Sequence, residues 1–85
     1  MEDNIIEIGH VTHFFSKISV AAVELTSPLS VGDHILIKGP WTDFEQTVDS
    51  MQIEGKPFPR VESGQTIGLK VVLPAKEKDI VYKKL

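Results

Sequence analysis

The chain has 85 residues, 41% of them hydrophobic and 25% charged, with a formal net charge of −3 and no cysteine. That length carries one small core and no second domain, and the lack of cysteine excludes a disulfide framework and a thiolate metal centre. Nine Lys and Arg against twelve Asp and Glu give no general attraction to phosphate backbones, so any nucleic-acid contact must be local and shaped.

The N-terminal Met1-Glu2-Asp3-Asn4 is acidic, lacks the basic region and apolar run of a signal peptide, and is expected to be disordered. No apolar run approaches the ~20 residues that cross a bilayer. A cytoplasmic protein with no membrane partner is the expectation.

Ile5 to Phe15 is the first predicted strand. Its alternation slips at Gly9, since Ile6 and Ile8 share one parity and Val11 has the other; a bulge at Gly9 repairs the phase. Ser16-Lys17 reads as a hairpin turn, and Ile18 to Leu25 as the second strand. Thr26-Ser27-Pro28 breaks it. Leu29 to Gly39 follows, with Val31-Gly32-Asp33 as a tight turn: Gly32 takes a positive φ without penalty, and Asp33 bonds to nearby backbone. Ile35 and Ile37 then alternate with His34, Leu36 and Lys38, the two-residue period of a half-buried strand.

Gly39-Pro40-Trp41-Thr42-Asp43 is a predicted exposed loop tip. Phe44 to Ile53 is read as one strand, bent near Asp49 where the apolar parity shifts. Glu54 to Ser63, with Gly55, Pro57 and Pro59, is an irregular connection. Thr66 to Leu73 and Ile80 to Leu85 supply the last two strands, separated by a charged turn over 74–79. Six short strands without a helix predict a single all-β domain over 1–85, closed into a six-stranded barrel because closure removes exposed edges.

Leu29-x-Val31-Gly32-Asp33-x-Ile35-x-Ile37-x-Gly39 resembles the second β-barrel domain of translational GTPases such as elongation factor Tu. Val48 to Gln52 resembles the strand that follows there, Ile18 to Glu24 the strand before, and Val61 to Leu69 the family's A-x-x-G-x-x-V-G-L segment, with Val61 in place of a small residue. The likeness covers about Ile5 to Val71 and extends to small free-standing elongation-factor-like proteins. It extends also to the barrel at the C-terminus of some collagenase-like peptidases that act in RNA modification. The resemblance implies a translation-factor-type barrel and a non-enzymatic binding module. Its partner would be tRNA or a ribosome-associated, RNA-bound factor; alternatively the chain is a protein–protein adaptor for a peptidase-like protein. None of the family's tRNA-contacting positions is carried over to this chain.

No G-x-x-x-x-G-K-[ST] phosphate loop is present, so no nucleotide or other cofactor is expected. His10, His13 and His34 show no ligand spacing, the serines have no His–Asp arrangement around them, and Glu45, Asp49 and Glu54 read as solvated exteriors. No catalytic or metal-binding residue is predicted. The partner-binding candidates are Phe14, Phe15, Lys17 and Trp41. One of the adjacent Phe14 and Phe15 must face outward on a regular strand, with Lys17 close by, an arrangement that can stack a base and meet its phosphate or cap the barrel's end. Trp41 either folds back onto Phe44 or anchors a partner. Lys76, Lys78, Lys83 and Lys84 are read as a solvated C-terminal edge diluted by Glu77 and Asp79.

Overall fold

Eleven residues from Ile5 to Phe15 form the longest strand, β1, and it lies inside an antiparallel sheet rather than at its border. The structure, a computed structural model, describes residues 4–85. The predicted disorder of the N-terminus falls largely on residues 1–3, outside the described residues; the Asn4 carbonyl accepts from the Leu85 amide at 2.8 Å.

Ten strands follow in chain order among the described residues: β1, then β2 (Val20–Leu25), β3 (Leu29–Ser30), β4 (His34–Gly39), β5 (Thr42–Thr47), β6 (Met51–Ile53), β7 (Lys56–Pro57), β8 (Arg60–Val61), β9 (Thr66–Lys70) and β10 (Ile80–Lys84). Eight make one sheet in the order β5-β4-β10-β1-β2-β9-β6-β7, and β3 pairs with β8 separately.

The all-β class holds, but the closed six-stranded barrel does not. No ladder joins β5 to β7, so the sheet is open. The stretch from Phe44 to Ile53 is not one strand. It breaks at Val48, whose amide donates to the Asp33 carbonyl (2.8 Å) and whose carbonyl accepts from Gly32 (2.9 Å). The Val31-Gly32-Asp33 turn thus takes the hydrogen bonds that a continuous strand would offer to a neighbour. The supposedly irregular 54–63 connection supplies β7 and β8, each held to two residues where Pro57 and Pro59 remove amide donors. A side chain crosses where a ladder is missing. Buried Gln46 of β5 donates to the Lys70 carbonyl and accepts from the Val72 amide, both at 2.8 Å.

Other local expectations stand. The β1–β10 register shifts between Glu7 and Gly9, the slip seen in the hydrophobic pattern. A second shift, between Val11 and His13, occurs against β2. Gly32 has φ +97, and the Asp33 carboxylate accepts from the Ser30 amide at 2.9 Å, reaching back across the bend rather than beyond it. The hairpin turn is longer than Ser16-Lys17: it runs to Ser19 at φ 57, and β2 begins at Val20.

The core lies on one sheet face. Ile8, Val11, Ala21, Val23, Leu25, Ile35, Ile37, Ile67, Leu69 and Val81 pack with Leu29, Val48, Met51 and Val61 from the short strands. Each fully buried Ile, Leu or Val contributes about 1.5–3 kcal/mol relative to exposure, which is why two-residue strands are retained at all.

Candidate functional site

Three connections converge at one end of the sheet. β1 pairs with β10 from Ile5↔Lys84 to His10↔Ile80, and β10 pairs with β4 from Lys83↔Ile35 to Ile80↔Lys38. The β1–β2 hairpin, the β4–β5 tip and the start of β10 therefore share an end. The 71–79 connection crosses it: the Val71 amide donates to the Ser19 carbonyl (3.0 Å), the Lys78 amide to the Val11 carbonyl (2.8 Å), and the Lys70 ammonium to the Ile18 carbonyl (3.1 Å).

This end carries large apolar side chains in solvent. Trp41 is 81% exposed, Val72 63%, Ile18 58%, Leu73 52% and Phe15 46%. They come from all three connections. Trp41 lines a cleft with Phe44, Leu73, Pro74 and Lys76. Phe15 and Ile18 line another with His13, Phe14 and Lys17. Between the two clefts, Glu77 Oε2 lies 3.2 Å from His13 Nδ1, and the His13 ring meets Phe15 edge-on at 4.5 Å between centroids. Lys17, Lys70, Lys76 and Lys78 are exposed around the apolar centre.

The predicted partner-binding residues sort as follows. Phe15 and Lys17 are exposed, whereas Phe14 is half-buried and packs against the core. Trp41 does not fold back: it shares a cleft with Phe44 yet keeps 81% of its surface in solvent. Trp41 and Phe15 line separate clefts of the same end, with the 73–77 segment between them. Val72, Leu73 and Ile18 escaped the sequence reading because their alternation suited a strand. The signal available was the Ser-Lys-Ile and Val-Leu-Pro context at chain reversals, where an apolar residue has no sheet to cover.

A further cleft of about 400 Å³ is lined by Phe15 and Ile18 together with Ala22, Gly68, Gln52 and Glu54. Ala22, Gly68 and Gln52 are cross-strand neighbours, and the small side chains of the first two leave the depression.

Each histidine meets one glutamate. His10 lies 3.3 Å from Glu24, its direct partner across β1–β2; His13 meets Glu77; and His34 is hydrogen-bonded to Glu45 diagonally across β4–β5. The hydrogen bond from His34, aided by the Lys84 charge, holds the Glu45 carboxyl below its ordinary 4.5. These pairs sit on solvated faces, and among the described residues no group of three or more His, Cys, Asp or Glu is placed to hold a metal ion.

No protein-family model matches the chain. The chain is 44% identical over 78 residues to an uncharacterised protease of Methanocaldococcus jannaschii, a match covering 91% of this chain and 19% of that protein. It therefore spans about a fifth of the curated relative's length. Among solved structures it is similar to the C-terminal domain of a Geobacillus thermoleovorans protein assigned to the U32 peptidases, with TM-score 0.86, 21% identity, and 92% of this chain and 91% of that one covered. The selenomethionine variant of the same domain gives TM-score 0.85 and 20% identity over 89% and 96%. Neither relative is a translation factor. The elongation-factor part of the resemblance, with its tRNA or ribosomal partner, gains no support; the fold is that of a peptidase's C-terminal domain.

Proposed function

We propose that this chain is a non-enzymatic accessory domain that serves a peptidase-like protein as a binding module. The 44% identity to a segment of a protease about five times longer carries this reading. That identity runs across 91% of the chain but only 19% of the protease, which supports a role beside the chemistry and not in it. Its own surface supports the reading as well: among the described residues the histidines pair with glutamates on solvated faces, while an exposed apolar end offers contact area.

The test uses the M. jannaschii protease with its matching segment deleted. Purified chain mixed with that truncated protein should form a stable complex by size-exclusion chromatography and calorimetry, unchanged by ribonuclease. The chain alone should show no peptide-bond turnover. Failure to associate, or turnover that stays with the chain through purification, overturns the proposal.

A further inference from the structure

We infer that the end built from Trp41, Val72, Leu73, Ile18 and Phe15 is the docking surface, and that its occupant is a protein face on the peptidase-like body with an apolar centre and a carboxylate rim. This rests on the accessory-domain reading above.

Three observations support it. First, five of the ten exposed large hydrophobic side chains among the described residues gather at this end, supplied by three connections that have no shared structural need for them. A Trp 81% exposed contributes nothing to the core, and Trp is the side chain most enriched among residues that dominate binding.

Second, lysines outnumber carboxylates around the patch. Exposed Lys17, Lys70, Lys76 and Lys78 surround it, against exposed Asp43, Glu77 beside His13 and Glu54 on the cleft next to Phe15 and Ile18; Asp79 is buried. The chain as a whole is at −3, so the cationic rim is a local departure. It fits a carboxylate-rimmed surface, which it would steer and orient.

Third, the first and last described residues, Asn4 and Leu85, lie at the other end, so neither covers the patch. Leu85 is hydrogen-bonded to Asn4, and the 11 residues of β1 put roughly 35 Å between that junction and the hairpin.

The experiment titrates the segment-deleted M. jannaschii protease with the parent chain and variants, each checked by circular dichroism for retained fold. Trp41→Ala and Leu73→Ser should each weaken binding roughly tenfold or more. Lys17→Glu with Lys76→Glu should slow association and flatten its salt dependence. Val31→Ser, at the opposite end, should change neither. Parent binding that survives all the patch variants overturns the surface while leaving the accessory reading intact. No binding by the parent overturns both. Tight binding of a labelled single-stranded oligouridylate, lost in the same variants, would show that the occupant is nucleic acid and not a protein face.

Discussion

Asp79 is an ionisable side chain inside the fold, 1% exposed, and the residues around it are chosen to hold it. Its Oδ2 accepts from the Lys76 amide at 2.8 Å, and its own amide donates to the Lys76 carbonyl at 3.1 Å, closing the turn before β10. The carboxylate lies against Gly39, where an added Cβ would overlap Oδ1 and come within 2.8 Å of Cγ. Gly39 is therefore required by close approach, not by backbone conformation. Gly39→Ala should destabilise by about 2–4 kcal/mol, the scale of forced overpacking plus a disturbed buried carboxylate. Adding Asp79→Ala should recover part of that loss, a coupling on the order of 1 kcal/mol or more. Additive losses in denaturant titrations would show that the two do not meet. Gly32 is the opposite case: its φ is +97, and a Cβ added there would meet nothing within 4 Å. Gly32→Val should cost about 1–3 kcal/mol through backbone strain alone, and an unchanged denaturation midpoint would refute it.

Elements are joined in this sheet by side chains where ladders stop. Gln46 links β5 to the segment following β9 through two hydrogen bonds at 2.8 Å. Gln46→Leu keeps approximate volume but leaves the Val72 amide and Lys70 carbonyl without that partner, so it should cost about 1–3 kcal/mol. Hydrogen exchange at Val72 should rise; protection equal to the parent's would mean another group satisfies it. On the outer face, Glu45 links β5 to β4 through His34 and to β10 through Lys84. Its pKa is lowered in the folded state, so the stabilisation it brings is present above the unfolded carboxyl range and fades as pH falls below about 4.5. The thermal midpoint of the parent should exceed that of Glu45→Gln at pH 6 and converge with it near pH 3. A gap that widens on acidification would reverse the sign.

These linkages also set what the sequence could convey. β1 was legible end to end because its alternation and the slip at Gly9 are local. So was the Val31-Gly32-Asp33 turn. The open sheet was not: closure was expected because it would remove exposed edges, and the break at Val48 arises from hydrogen bonds to Asp33 and Gly32, remote in sequence. Two-residue strands such as β7 and β8 are too short to show a period. The patch was half legible: Phe15, Lys17 and Trp41 were visible by residue type. Val72 and Leu73 were hidden in a run that reads as strand, because only the fold turns the chain away after Lys70.

At the scale of the whole molecule, the core and the apolar end are separate bodies of hydrophobic surface, and Trp41 belongs wholly to the second. It is the chain's one tryptophan, so its fluorescence reports the docking end and is blind to the core. That separation yields an uncommon unfolding signature. Denaturant should abolish the far-ultraviolet β signal in a cooperative transition, while the Trp41 emission, already that of a side chain 81% in water, moves little in wavelength. Acrylamide should quench it nearly as well in the folded protein as in the unfolded one. Docking should do what folding does not: bury the indole against an apolar surface, shift its emission to the blue and protect it from quencher. A large red shift on unfolding would mean that Trp41 is packed in the native state, and the docking surface would lose its central anchor.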